Sequence, residues 1–417
     1  FLAAAAKRSK AQPKGRPLTS NAPEGPLAGI KFLDLSIALT GPYAVALLAD
    51  QGAEVIKVER PGMGDIARWI GVSVNGMSAF YLACNRGKRC VAVDLSTTEG
   101  QAVVLQLAAA ADVVVQNFRP GVIDRLGIGY DAVQAVNPDV VYCSISGYGP
   151  DGPYRDRSAY DTSIQAYAGF AANQADPEGG PPEFLHQIGA DKVSALYASQ
   201  AMTAALFARA QGRGGQHLEL AMADACVSFL WAESAGNEVL LDSDGTQRSS
   251  FNAGFKPMPF LDGWGIVVPT TDADFAGMCK ALDVEGYDDP AVSTVAARYA
   301  NRAQMNELMD LCYATAANLT QAEATERFER ERVAFAMVLS TEEITDDAHA
   351  EAVGMFVDFD HPVVGPARLP RHPTQFKVTP AALGRATPSL GEHTDEVMTE
   401  LGMADRIAEL RDAGVLA

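Results

Sequence analysis

Along the first third of the chain, short unbroken apolar runs alternate with longer segments whose apolar residues recur at helical spacing. The runs at 30–36, 54–58, 89–94, 112–116 and 139–144 predict strands, and the segments at 42–50, 98–111 and 130–136 predict helices. Strands that alternate with helices in this way imply a parallel, doubly wound α/β sheet. Its ligand is expected beyond the carboxyl ends of the strands.

After Gly147 the texture changes to a loop rich in Gly, Pro and Asp, followed by a long helix predicted over 192–210. Gly212-Arg-Gly-Gly215 supplies its stop signal. Beyond about residue 228 the pattern loosens: Gly263-Trp-Gly-Ile-Val-Val268 predicts a strand, and 273–282 and 303–324 are amphipathic. This stretch reads as a smaller inserted α+β domain. Residues 360–380 read as loops rich in Pro and His, before two short helices that end at Ala417. A chain of 417 residues exceeds what one core usually supports. The expected organisation is therefore a flexible basic tail over 1–25, a large domain over 26–227, a small domain over 228–335, and a return to the large domain over 336–417.

Composition narrows the function. A formal charge of -19 argues against broad nucleic-acid binding, so an anionic ligand would need a local basic pocket. The tail runs against this trend, with Lys7, Arg8, Lys10, Lys14 and Arg16 against Glu24 alone. No apolar run reaches the roughly 18 residues of a bilayer span, so no membrane association is expected. The six cysteines lie far apart in no metal-like spacing, and the six histidines form no ligand pattern. They suit buried thiols in a reducing, cytoplasmic compartment.

Candidate chemistry gathers at strand ends. Glu59 ends the second strand where a dehydrogenase would hold a ribose hydroxyl, but Leu39-Thr-Gly-Pro-Tyr43 has one glycine where a dinucleotide fingerprint needs three. Arg60 follows the second strand, Asn117-Phe-Arg-Pro-Gly121 follows the fourth, and Arg125 comes a turn later. Guanidiniums on one rim suit phosphate capture, or they pair with surface carboxylates; placement alone leaves both open. Asp191, after Gly189-Ala190, heads the long helix. There it reads either as a helix cap or as a carboxylate nucleophile whose ionised form the helix dipole favours, with Gly189 letting a substrate come close. Spacing does not choose between them.

Several long motifs carry a resemblance. Gly41-Pro42, Leu48-Ala-Asp-Gln-Gly-Ala-Glu-Val-Ile-Lys-Val-Glu-Arg-Pro61 with Gly64-Asp65, Asn117-Phe-Arg-Pro-Gly121, Tyr160-Asp161, Asp191, Gly212-Arg-Gly-Gly-Gln216 and Leu390-Gly-Glu-His-Thr-Asp-Glu-Val397 stand in the order found in the class III CoA-transferases, the CaiB/BaiF type. The sequence resembles that family from about residue 26 to the end. The resemblance implies a Rossmann-like large domain built from both chain ends, a small inserted domain, and two subunits interlocked as a homodimer. It implies an acyl-CoA and a small carboxylic acid as substrates, with coenzyme A moving between them and no metal or redox cofactor.

By the same resemblance Asp191 is the nucleophile, forming an aspartyl anhydride and then an aspartyl-CoA thioester. Arg60 meets the CoA nucleotide, and Val93, Asn117, Phe118, Arg125 and Leu126 line the nucleotide and pantetheine path. Ala38, Tyr160 and Met222 lie near the thioester. Two departures stand out. Tyr160 replaces the histidine of the related α-methylacyl-CoA racemases, which weakens racemase or isomerase chemistry as the alternative. The stretch Arg248-Ser-Ser-Phe-Asn-Ala-Gly-Phe-Lys-Pro257 has only Gly254 where some relatives carry a glycine run. A CoA-binding protein without catalysis is the other alternative. Phe251, Phe255, Phe260 and Trp264 are candidate acyl-pocket residues, although aromatic residues are more often core.

Overall fold

The structure, a computed structural model, describes residues 24–175, 179–242 and 255–417. The tail before residue 24, and Phe251 and Gly254 of the glycine-poor stretch, lie outside the described residues. The chain divides into two compact units, Phe1–Ser243 with Val353–Ala417, and Asp244–Ala352.

The first unit holds a six-stranded parallel sheet. Its strands are β1 (Lys31–Asp34), β2 (Glu54–Glu59), β3 (Lys88–Ala92), β4 (Val113–Gln116), β5 (Val141–Ser146) and β6 (Gln216–Ala221). Their spatial order is β3-β2-β1-β4-β5-β6, and every pairing is parallel. This is the doubly wound order whose direction reverses between β1 and β4, the switch point where such sheets bind ligands.

Alternation along the strands feeds two cores. Phe32, Val113, Val115, Val141 and Cys143 face α1 (Thr40–Ala49) and α5 (Gly189–Ala208), packing against Leu48, Ala195, Ala198 and Met202. Leu33, Val114 and Tyr142 face the other way, toward Val103 and Leu107 of α2 (Thr98–Ala109) and Val133 of α3 (Tyr130–Val136). The C-terminal α10 (Thr394–Glu400) and α11 (Ile407–Asp412) join this second core through Val397 and Leu410. They are tied to the end of β3, where the Ala92 N–H donates to Thr394 Oγ1 (3.2 Å) and the Asp94 N–H to the Val415 carbonyl (2.8 Å).

The five predicted strands and the helices between them are present. Edge strand β6 was missed by the sequence reading because its alternating Gln-His-Leu-Glu-Leu-Ala sequence stays half-exposed and lacks the unbroken apolar run of a central strand. Residues 360–380, read as loops, include much of an antiparallel hairpin of β10 (Phe356–His361) and β11 (Gly365–Pro370). In the second unit, the amphipathic stretch at 303–324 is two helices, α8 (Arg302–Ala316) and α9 (Gln321–Arg330), because Thr320 and Glu323 form a capping box that starts a new helix. That unit adds α7 (Asp272–Ala281) and a small antiparallel sheet in the order β9 (Phe335–Met337), β8 (Gly263–Val267), β7 (Met258–Phe260). Its core takes Phe260 against Phe328, so Phe260 is a packing residue and not a pocket wall, whereas Trp264 is exposed.

Beneath the carboxyl ends of β1 and β2 lies a buried cluster of three carboxylates and three cations. Lys88 Nζ donates to Asp34 Oδ2 (2.7 Å) and to the Pro42 carbonyl (2.9 Å). Lys57 Nζ donates to the Ser36 carbonyl (2.7 Å) and pairs with Asp65 (3.0 Å). Arg68 grips both oxygens of Glu59 (2.8 and 2.9 Å), and the Tyr81 hydroxyl donates to the same carboxylate (2.5 Å). Burial alone would raise the Glu59 pKa, but the Arg68 hydrogen bonds and the Lys57 charge bring it down to about 2. Glu59 is thus a structural anion, unavailable to a ribose.

Breaking one buried partner strands a charge, so Arg68→Met is expected to destabilise the protein by about 3–5 kcal/mol. Urea unfolding at neutral pH measures this; a loss under about 1 kcal/mol would mean that the cluster does not hold the β2 end.

Candidate active site

The β1–α1 connection runs from Leu35 to Leu39 and is held from three directions. The Ser36 N–H donates to Asp34 Oδ1 (2.9 Å). Asn117, at the end of β4, brackets Ile37: its Oδ1 accepts from the Ile37 N–H and its Nδ2 donates to the Ile37 carbonyl, both at 2.8 Å. The Ala38 N–H donates to Asp65 Oδ1 (2.9 Å). Ala38 sits at φ 63°, a left-handed conformation that a Cβ disfavours by about 1–2 kcal/mol, so the clamps keep a shape the chain would not choose alone. Gly41 is required next, because a Cβ there would fall 2.3 Å from the Ser36 side chain.

The clamped loop delivers Thr40 to Asp191. Thr40 is the first residue of α1 and is buried, and its hydroxyl donates to Asp191 Oδ1 across 151 positions of sequence. Met222, the buried first residue of α6 (Met222–Trp231), brings its Sδ to 4.0 Å from the same hydroxyl.

Asp191 is not the cap of α5. The helix begins at Gly189, and its N-cap is Ile188 at φ 53°, with no side-chain cap bond. Gly189 does not open space for a substrate either, since a Cβ there would meet Leu185 Cδ1 at 3.1 Å. The capping acceptor comes from α4 (Asp161–Tyr167), whose Asp161 Oδ1 accepts the Asp191 N–H at 3.0 Å. Gln165 steadies Asp161 through Oδ2 (2.5 Å) while bonding both the N–H and the carbonyl of Leu185.

Asp191 itself is half-buried, and no cation pairs with it among the described residues. Burial pushes its pKa up to about 6; the Thr40 hydroxyl and N–H pull it down, and the Asp161 charge pushes it up. At neutral pH the carboxylate is ionised yet poorly compensated, the state a nucleophile needs.

The remaining residues singled out from the sequence spread along the rim. Arg60 and Arg125 are exposed, and among the described residues no carboxylate pairs with either. Above Gly121, which sits at φ 77°, the position of a Cβ lies 3.4 Å from Arg125 Nη1 and 3.6 Å from Arg155 Nη2, so two guanidiniums converge over one bare backbone. Phe118 and Leu126 are half-buried against the second core. Tyr160 is exposed and precedes the capping Asp161. Val93 is fully buried in the second core, and the Asn117 side chain is committed to the loop; neither offers a free side chain to a ligand.

A cavity of about 140 Å³ opens beside the Gly121 loop, lined by Phe118, Arg119, Arg155, Ser146 and Glu219 among others; Asp191 does not line it. Among the described residues no group of His, Cys, Asp and Glu could hold a metal ion, and no helix is long and apolar enough to cross a membrane. The sequence reading missed Thr40, Asp65, Arg155 and the capping role of Asp161. Each acts through a partner distant in the chain; the Gly64-Asp65 and Tyr160-Asp161 motifs marked two of these positions without showing what they do.

Comparison with known proteins places the chain in a family. A family model described as CoA-transferase family III matches residues 27–394. Succinate–glutarate CoA-transferase of Agrobacterium fabrum is 32% identical, over 92% of this chain and 97% of that protein. Succinyl-CoA:glutarate CoA-transferase of Homo sapiens is also 32% identical, over 96% and 92%. The crystal structure of a CaiB/BaiF family protein from Brucella suis superimposes with a TM-score of 0.78 at 31% identity, covering 90% of this chain and 99% of that one. With a family match along most of its length and named CoA-transferases 32% identical over more than nine-tenths of it, the chain belongs to CoA-transferase family III and is a CoA-transferase.

Proposed function

We propose that this enzyme moves CoA from an acyl-CoA donor to a free carboxylic acid by covalent catalysis at Asp191. The observation that carries this reading is the half-buried carboxylate held by Thr40 and Asp161, with no cation paired to it among the described residues. In the proposed sequence, Asp191 Oδ2 attacks the thioester carbon and the C–S bond breaks with its electron pair on sulfur, leaving an aspartyl anhydride. The thiolate then adds to Asp191 Cγ, the Cγ–Oδ2 bond breaks, and the donor acid leaves as a carboxylate. An acceptor carboxylate reverses both steps and carries the CoA away.

Arg60, and Arg125 with Arg155, are assigned to the CoA phosphates; Arg60 and Arg125 have no carboxylate partner among the described residues, which supports this, while Arg155 meets only the exposed Asp156 at 4.0 Å. Phe118 and Leu126 are assigned to the pantetheine path, and Met222 to the thioester. Ala38 belongs to the loop that aims Thr40, and Asn117 clamps that loop from the end of β4. The named activities of the two relatives favour short dicarboxylic acids as the exchanged substrates. A large domain built from both chain ends and an interlocked homodimer complete the reading. Exposed Leu196, Phe207, Phe229, Trp231 and Leu241 give a second copy apolar surface to cover. Six buried free cysteines suit a reducing compartment such as the cytoplasm.

Asp191→Ala is expected to keep the fold and to lower transfer between acyl-CoA and a dicarboxylate by about 10³-fold or more. Hydroxylamine trapping followed by peptide mass analysis should place the wild-type adduct on Asp191. Near-wild-type transfer by the mutant defeats the assignment.

The raised pKa makes two pH predictions. Because the ionised form attacks, kcat/KM should fall tenfold per pH unit below about pH 6. Because ionisation is disfavoured in the folded state, the stability Asp191 contributes is present below its ordinary pKa near 4 and is lost as pH rises through about 6. Asp191→Asn should therefore be more stable than wild type by about 1–2 kcal/mol at pH 8, with the gap closing near pH 4. Thermal or urea unfolding at the two pH values checks it; a mutant less stable at pH 8 would contradict the burial cost.

A further inference from the structure

A threonine at a helix start ordinarily caps a backbone N–H of its own helix. Thr40 does not. The N-cap of α1 is Leu39, with no side-chain bond, and the Thr40 hydroxyl goes across to Asp191 Oδ1 on α5. Among the described residues its one other hydrogen-bonding neighbour is Met222 Sδ at 4.0 Å, a weak acceptor. The bonds at Ser36, Ile37 and Ala38 and the close packing of Gly41 fix the backbone that carries it. The donor is therefore aimed before any substrate arrives.

Which oxygen it faces decides what it can do. In the reaction proposed above, on which this inference rests, two kinds of carbon become tetrahedral: the acyl carbon of the substrate, and Cγ of Asp191 itself. A donor placed on the substrate's oxygen would serve the first kind. Thr40 is placed on Asp191 Oδ1, the oxygen that stays on Cγ while Oδ2 attacks and later departs.

We propose that Thr40 is a catalytic residue for the steps at the aspartyl carbon, its hydroxyl donating to Oδ1 as the CoA thiolate, and later the acceptor carboxylate, adds to Cγ. As the thiolate adds, the C=O π pair moves onto Oδ1 and the Thr40 O–H···Oδ1 bond strengthens. The pair then returns, and the Cγ–Oδ2 bond breaks to release the donor acid with Oδ2. When the acceptor carboxylate adds to the aspartyl-CoA thioester, the same oxygen takes the charge and the Cγ–S bond breaks. No proton leaves Thr40 in either step. Formation of the first anhydride occurs at the substrate's carbon and does not use this donor.

Such a division of labour predicts uncoupling. In Thr40→Val, which keeps the shape and removes the donor, the anhydride still forms and releases CoA thiolate, but thiolate return to Cγ is slow. Water then takes the anhydride, so free thiol and free donor acid appear without transfer. Removing one such donor typically lowers the affected step by about 10²–10³-fold. The Thr40 N–H is retained, so kcat for transfer should fall by about 10–100-fold.

The experiment follows transfer by chromatographic separation of the acyl-CoA products, and free thiol with a thiol reagent, for wild type, Thr40→Val and Thr40→Ser. It is paired with intact-mass detection of the Asp191-CoA adduct. Expected are a rise of at least tenfold in the ratio of thiol release to transfer for Thr40→Val, a fall in its steady-state Asp191-CoA adduct, and recovery of both by Thr40→Ser. Equal losses of transfer and thiol release, or an unchanged ratio, overturn the proposal, because a merely structural residue would lower both together. If Thr40→Val fails to fold, Thr40→Ala and Thr40→Ser carry the same comparison. A wild-type enzyme that forms no adduct on Asp191 instead refutes the underlying covalent reading, which separates the two failures.

Discussion

The setting of the Asp191 carboxylate depends on a loop held from three sides. Between Leu35 and Thr40 the main chain passes through a left-handed alanine, and its N–H groups are claimed by Asp34, Asn117 and Asp65, from three different parts of the chain. Two of those three holders are anchored in the buried cluster of balanced charge beneath β1 and β2. Such clusters add little net stability, because desolvating six charges offsets most of their mutual attraction. What they supply here is geometry. A carboxylate with its cation fixed in one place offers its second oxygen in one place, and the loop has a single conformation that satisfies every donor.

The same reasoning explains how a sheet with the strand order of dinucleotide-binding folds turns to acyl transfer. In a dehydrogenase the acid at the end of the second strand is free to meet a ribose. Here Glu59 is consumed by Arg68, Tyr81 and the Asp65 N–H, and it works as a foundation stone. The switch point between β1 and β4 still gathers the site, since it is where two loops diverge and leave a crevice. Around it stand Thr40 and Asp191, bonded to each other, and Arg60 and Arg125, exposed and without carboxylate partners among the described residues. Fold and chemistry are separable, and this chain illustrates the separation within one α/β unit.

Much of the architecture was legible because central parallel strands are buried on both faces and must be apolar throughout. Val113-Val-Val-Gln116 has no other plausible use. Edge strand β6 escaped notice for the converse reason, and the β10–β11 hairpin was hidden by Pro, His and Gly that read as punctuation. At the site, the place of Asp191 near the head of a helix was legible, but its relation to that helix was not. It stands in the first turn, and another residue's carboxylate does the capping. Whether the rim arginines were paired could not be read in advance, because pairing depends on what lies opposite each one in space.

The sequence by itself determined the period of the central strands and helices, the alternation that makes a parallel sheet, the net negative charge, and the order of motifs that marks the family. Those properties are local or additive, and each can be read a few residues at a time. Only the tertiary structure decided that a threonine on the first helix faces one oxygen of an aspartate 151 positions away. That contact arises because β1 and α5 are brought together by a sheet whose strand order reverses between β1 and β4. A meeting of atoms produced by chain reversal leaves no periodic trace in the residues that make it.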